Sequence, residues 1–243
     1  MFHGLTIGKH SVPYPLIQGG MGVRVSGYRL AGHVALNGGS GVIATPGLAL
    51  GSDAATGDSY FADDRQALLD ELRKAYEIAP DGVIGVNCMV AVSNYDDAVK
   101  ASCEGGAKLI ISGAGLPLSL PGLTAEYPDV ALVPIVSSLK AAQLIARKWH
   151  KGYGRLPDAI VVEDPDTAGG HLGEKPEKIG SGEYDQYATV RAVKEYFRSE
   201  WNLHIPIIAA GGIWDREDLE HALAEGADAV QMASRFVVTE ECD

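Results

Sequence analysis

A histidine that follows two glycines is the first feature of the sequence that suggests chemistry. The stretch DTAGGHLGEKPE (166–177) begins just after the apolar run DAIVVED (158–164), which has the composition of a buried strand. The pair Gly169 and Gly170 removes side chains, so that backbone can lie close against a large or flat ligand. His171 can exchange a proton near neutral pH. The stretch therefore predicts a backbone surface that contacts a ligand, with a base beside it.

Two later strand ends have the residue types of a phosphate site. AAGGIWD (209–215) offers the backbone N–H groups of Gly211 and Gly212 at a helix start, and QMASRF (231–236) offers the N–H and hydroxyl of Ser234. Backbone N–H groups at a helix start can cradle a dianionic phosphate. The alternative is that the glycines only form tight strand-to-helix turns.

The first strand end, QGGMG (18–22), contains three glycines within four residues, which is more than one bend requires. Close approach of this backbone to a flat ring, with Met21 as a polarisable apolar contact, is the functional interpretation. Asn87 ends another apolar strand, where a buried amide must find partners. It would either cap the next loop or bond to the polar edge of a ring.

No metal site is predicted from the sequence. The carboxylates of Glu163, Asp164 and Asp166 lie near His171, but they lack companion histidines at ligand spacing. The three cysteines are far apart and form no Cys-x-x-Cys pair, which indicates neither a disulfide framework nor a zinc site.

The elements that must position these residues alternate regularly along the chain. Short apolar runs rich in Val and Ile are each followed by a longer amphipathic or weakly helical segment, which predicts parallel strands covered on both faces. Eight such units favour an α/β fold of the closed, TIM-type (β/α)8 class, with residues 1–243 as a single domain and an open doubly wound sheet as the alternative. The predicted strands lie within 15–20, 41–45, 82–90, 108–115, 130–138, 158–164, 205–212 and 227–234. In such a barrel, chemistry belongs to the loops at the carboxyl ends of the strands.

Composition limits the partners. The net charge of −12 argues against nucleic acid or an anionic membrane as a partner, because phosphate backbones bind basic faces. The N-terminus lacks the apolar core of a signal peptide, and no apolar run has the roughly 18 residues of a membrane helix. We therefore expect a cytoplasmic protein without a membrane partner.

The ordered motifs QGGMG, GVNCMV, ISGAGLP, AGGHLG, IIAAGGI and GADAVQMASRF resemble those of the nitronate monooxygenase family and of its relatives, the flavin-dependent enoyl-acyl-carrier-protein reductases. The similarity runs over essentially the whole chain. It implies a (β/α)8 barrel that binds FMN noncovalently, with the histidine after the two glycines, His171, as the catalytic base.

The resemblance also implies which residues contact the cofactor. Where many members have Gly-Thr at the last strand end, this chain has Ala233 and Ser234, which keep the N–H and the hydroxyl. Where many have a lysine after the fifth strand, Ser137 is the candidate contact. The full cofactor-binding set is Gly20, Met21, Gly22, Asn87, Ser137, Gly169, Gly170, Gly211, Gly212, Ala233 and Ser234.

The activity implied is oxidation of alkyl nitronates or nitroalkanes, with dioxygen as co-substrate. One alternative is a reductase that passes hydride from NAD(P)H through FMN to an enoyl thioester or quinone, and another is a non-catalytic flavin-binding module. Relatives continue beyond the last strand to build a lid over the flavin, whereas this sequence stops at Asp243. We therefore expect a barrel with a shortened C-terminus and an open site. A homodimer is an open alternative to a monomer.

Overall fold

Eight parallel strands close into a barrel in the computed structural model, which describes residues 2–50, 60–168, 180 and 184–242. The last strand pairs with the first, so the open-sheet alternative is excluded and the predicted (β/α)8 barrel is confirmed. The barrel strands are β3 (Leu16–Gln18), β4 (Ser40–Ala44), β5 (Val83–Met89), β6 (Leu109–Gly113), β7 (Ala131–Val136), β8 (Ile160–Glu163), β9 (Ile207–Ala210) and β10 (Ala229–Met232).

Helices connect successive strands. Those within the described residues are α1 (Tyr28–Leu36), α2 (Tyr60–Ile78), α3 (Tyr95–Glu104), α4 (Leu120–Leu123), α5 (Leu139–Tyr153), α6 (Gln186–Trp201) and α7 (Arg216–Ala224). The fourth is a single turn, because Pro117, Pro121 and Pro128 restrict the segment to a short helix with proline in its first turn. In the part of the chain that is described, no helix combines the length and apolarity needed to cross a membrane.

A two-stranded antiparallel hairpin precedes the barrel and was not predicted from the sequence. It pairs β1 (Leu5–Ile7) with β2 (His10–Val12) around Gly8, whose φ is +57°. The buried side chains of the hairpin pack with residues from the amino ends of the barrel strands, so the hairpin closes that end. Each of its strands has a polar residue at its centre, Thr6 or Ser11, so neither shows the continuous apolar run by which buried strands are predicted.

Alternate residues of each barrel strand belong to two separate cores. On β8, Val161 packs in the barrel interior, whereas Ile160 and Val162 pack against the helices. The helix-facing core holds the largest fully buried side chains, including Trp149 and Phe197. Because side chains of a strand alternate between faces, this division fixes which residues at the carboxyl ends point into the barrel.

Candidate active site

A cavity of about 630 Å³ lies at the carboxyl ends of the barrel strands. This volume is within the range of small-molecule and cofactor sites. The residues predicted from the sequence that line it are Gly20, Met21, Gly22, Asn87, Gly211, Gly212, Ala233 and Ser234. The structure therefore brings together strand ends that are up to 214 residues apart in the sequence, from Gly20 to Ser234.

The remaining predicted residues are placed differently. Ser137 is half-buried one residue after β7 and is not among the described residues that line the cavity. Gly169, Gly170 and His171 lie outside the described residues. Ala168, the last described residue before them, lines the cavity.

Three side chains form a row across neighbouring strands below the mouth. Glu163 on β8 is in register with Ala210 on β9, and Ala210 is in register with Gln231 on β10. All three residues line the cavity. Strand spacing of about 4.8 Å puts the outer two backbones roughly 10 Å apart, and the methyl group of Ala210 leaves space between their side chains.

Gln231 is a site residue that the sequence reasoning missed. Its side chain is 9% exposed, and its Oε1 atom is buried without a hydrogen-bond partner among the described residues. Because an unpaired buried carbonyl is costly, such an atom inside a cavity marks a place where a ligand donor fits. The sequence did contain a signal, since Gln231 is two residues after the inward-facing Ala229 in the otherwise apolar run ADAVQM.

Close packing against neighbouring strands explains why glycines are needed at the end of β3. A Cβ added to Gly20 would lie 2.4 Å from Cβ of Asn87, and one added to Gly19 would lie 2.8 Å from Cβ of Ala233. Both distances are shorter than side chains tolerate, so glycine is needed for β3 to end between its neighbours. The same close approach holds the Asn87 side chain beside the cavity.

The loop after β9 requires glycine for a conformational reason. Gly211 and Gly212 have φ values of +103° and +70°, and a Cβ on Gly211 would lie 2.8 Å from Oγ1 of Thr167. That hydroxyl donates to Oδ2 of Asp164 at 2.8 Å, and Asp164 Oδ1 accepts from the backbone N–H of Asp166 at 2.9 Å. The β8 and β9 loops therefore pack against each other at the mouth.

The described part of the cavity contains one ionisable side chain. Glu163 is half-buried and is the single ionisable side chain among the described lining residues. Tyr184 donates to the backbone oxygen of Glu163 at 3.4 Å, and burial raises the pKa of its phenol to about 12. Cys88 faces the helices and burial raises its pKa to about 12, so it is a neutral core thiol and not a nucleophile.

A family model described as nitronate monooxygenase matches residues 4–243 of this barrel. The chain belongs to the nitronate monooxygenase family. Two similar curated proteins of Mycobacterium tuberculosis and Rhodococcus jostii are both named (3aS,4S,5R,7aS)-5-hydroxy-7a-methyl-1-oxo-octahydro-1H-indene-4-carboxyl-CoA dehydrogenase, and each is 26% identical over 95% of this chain. The match spans 54% of each relative, so this family member covers about half the length of the curated relatives it matches.

Solved structures of similar proteins have the same barrel. FabK from Thermotoga maritima is 29% identical, with a TM-score of 0.69 over 96% of this chain and 61% of that one. Nitroalkane oxidase from Streptomyces ansochromogenes is 18% identical, with a TM-score of 0.71 over 95% of this chain and 68% of that one. The second similarity supports the fold alone.

Proposed function

We propose that this family member is an FMN-dependent oxidoreductase whose cofactor occupies the cavity at the carboxyl ends of the strands. The observation that carries the proposal is the buried, unpartnered Oε1 atom of Gln231 inside a cavity of about 630 Å³. A flavin ring has an imide N–H that can donate to such an oxygen. The match to the nitronate monooxygenase family supports the same cofactor.

The phosphate of FMN would bind where the β9 and β10 loops meet. Positive φ values at Gly211 and Gly212 form a concave backbone that can aim N–H groups at an anion, and Ser234 adds a hydroxyl at the start of a 3-10 helix. Because the whole chain carries a net charge of −12, a phosphate must be held by such local donors. Ala233, with only a methyl side chain, lines the cavity beside Ser234.

The ring of FMN would lie against the end of β3. The glycines at 20 and 22 present backbone without side chains, Met21 offers a polarisable apolar contact, and Asn87 offers an amide beside Gly20. Bound FMN supplies the electron acceptor and donor of the reaction. The chain's own residues hold and orient the ring and exclude water from its face.

The leading reaction is oxidation of alkyl nitronates or nitroalkanes, with dioxygen as co-substrate. His171 is proposed to remove the α-proton of a neutral nitroalkane at its Cα atom and to orient a nitronate that is already deprotonated. Such proton transfer contributes about 10²–10⁴ in rate where it applies. Gly169 and Gly170 would allow the substrate to reach the imidazole.

A second candidate is a reductase that uses NAD(P)H and acts on a neutral enoyl thioester or quinone. The observation that favours it is the similarity to two proteins that are named as carboxyl-CoA dehydrogenases, each 26% identical over 95% of this chain. A CoA ester is a thioester, so the name of these relatives is consistent with a thioester substrate.

The experiment begins with the absorption spectrum of the purified full chain, which tests for bound flavin. Anaerobic stopped-flow mixing with propionate-3-nitronate and, separately, with NADPH then identifies the reductant. Bleaching of the visible flavin band that is fast only with the nitronate supports the leading reaction, and bleaching that is fast only with NADPH supports the reductase. A colourless protein that binds no added FMN contradicts the proposed function.

A further inference from the structure

An arginine at the mouth of the cavity is held against an aromatic ring. The guanidinium carbon of Arg235 lies 5.3 Å from the centroid of the Trp214 ring, which is the geometry of a cation–π contact. Trp214 lines the cavity and is 45% exposed, so its ring lies between the cavity and solvent. The contact therefore keeps a positive charge next to a residue that lines the cavity.

The charge of Arg235 is not neutralised by a carboxylate among the described residues. Arg216 shows the contrast, because its guanidinium carbon also lies 5.3 Å from the centroid of an aromatic ring, that of Phe2. Nε of Arg216, however, donates to Oε1 of Glu220 at 2.7 Å. The cation–π contact alone leaves the N–H groups of Arg235 available to an anion.

The position of Arg235 relates its charge to the proposed phosphate site. Arg235 directly follows Ser234, and Trp214 is two residues after Gly212, so the contact joins the two loops between which the phosphate would bind. A phosphate monoester carries a charge of about −1.5 to −2 near neutral pH. Backbone N–H groups and a hydroxyl supply only partial charges, whereas a guanidinium supplies a full charge and two parallel donors.

We propose that Arg235, positioned by Trp214, binds the phosphate of FMN and makes the site select FMN over riboflavin, which has the same ring without the phosphate. This inference rests on the proposed function, because it requires a flavin in the cavity. Gly211, Gly212 and Ser234 set the place of the phosphate, and Arg235 supplies the net positive charge. In a chain with a net charge of −12, that charge decides how strongly a dianion is preferred to a neutral ligand.

The test compares the dissociation constants of FMN and riboflavin, measured by quenching of flavin fluorescence in full-length proteins. Selectivity is the dissociation constant of riboflavin divided by that of FMN. Arg235→Gln removes the charge and is expected to lower the selectivity about tenfold, because FMN binding weakens while riboflavin binding stays within about twofold.

Trp214 is a positioning residue in this proposal and is tested through the same selectivity. Trp214→Leu removes the aromatic ring and is expected to lower the selectivity about threefold, since an exposed cation–π contact has a modest effect. Trp214→Phe keeps a ring and is expected to retain most of the selectivity. A general loss of packing would instead weaken the binding of both flavins and leave the selectivity unchanged, and that result overturns the positioning role.

Arg216→Gln is the matched control, because it removes the same charge and a cation–π contact of the same length. Its aromatic partner, Phe2, lines a different cavity, which also includes Pro15, Pro206 and Asp228 before the amino ends of β3, β9 and β10. The selectivity of Arg216→Gln is expected to stay within about twofold of the wild type, since solvent screens an exposed charge.

The outcomes separate this inference from the proposed function. An unchanged selectivity in Arg235→Gln with FMN still bound overturns the inference alone, and so does a wild type that binds riboflavin at least as tightly as FMN. If Arg235→Gln does not fold, the selectivity of the wild type should fall as KCl is raised, and a constant selectivity overturns the inference. A wild type that binds neither flavin overturns the proposed function as well.

Discussion

Two buried glutamines allow the ligand role of Gln231 to be tested through stability. Gln231 is 9% exposed and Gln186 is 8% exposed, so the two amides are similarly buried. They differ in hydrogen bonding. Nε2 of Gln186 donates to the backbone oxygens of Val162 at 3.1 Å and Ala210 at 2.5 Å, whereas Oε1 of Gln231 has no partner among the described residues.

Replacement of each glutamine by methionine preserves the unbranched shape and removes the amide. Gln231→Met removes an unpaired buried oxygen, and this removes a destabilising contribution of about 1–3 kcal/mol. It also removes the amide nitrogen, whose hydrogen bonding would stabilise the protein by about 0.5–1.5 kcal/mol. The stability of the apoprotein is therefore expected to rise by about 1 kcal/mol. Gln186→Met loses two satisfied bonds and is expected to destabilise the apoprotein by about 1–3 kcal/mol.

The affinity for FMN is expected to change in the opposite sense. Loss of one hydrogen bond to the ring in Gln231→Met weakens FMN binding about tenfold, the equivalent of about 1.4 kcal/mol. Gln186 lies outside the lining residues of the cavity, so Gln186→Met should leave the affinity near the wild-type value once the protein is folded. Urea unfolding of the apoproteins and quenching of FMN fluorescence provide the two measurements. Destabilisation by Gln231→Met together with unchanged FMN affinity would refute the reasoning.

The remaining predictions concern packing, pH and proton transfer. Gly20→Ala places a Cβ 2.4 Å from Cβ of Asn87 and should cost about 1–3 kcal/mol in urea unfolding and weaken FMN binding. Gly152→Ala in α5, where an added Cβ would meet no atom outside its own stretch of helix, is its control and should stabilise by about 0.5–1 kcal/mol. Burial raises the pKa of Cys88 from 9.0 to about 12, so above pH 9 the unfolded state binds fewer protons and stability should fall as the pH rises towards 12. Replacement of Cys88 by Ala should flatten that fall in urea midpoints, and an equally steep fall would contradict the assignment. His171→Ala should lose about 10²–10⁴ in rate on neutral nitroalkanes and much less on pre-formed nitronates, and equal loss in steady-state assays would remove the base role.

Most of the barrel could be predicted from local patterns. A strand covered on both faces must be apolar throughout, and a helix between parallel strands must be amphipathic, so each unit carries its own signature. All eight predicted strands occur in the barrel. The hairpin at residues 5–12 carried no such signature, because polar residues interrupt its strands and the hairpin packs against the end of the barrel that it covers.

The sequence by itself determined the residue types at the mouth: glycines at the strand ends, small residues after the last strand and one histidine after a glycine pair. Among the described residues, only the tertiary structure decided which structural role each of these residues has. It showed that Gly20 is required by the proximity of Asn87, and that Glu163 and Gln231 face one cavity across Ala210. The physical reason is that the conformational preference of a residue depends on its few neighbours in the chain. The direction in which a side chain points and the partners of its polar atoms depend on closure of the barrel by strands that are far apart in the chain.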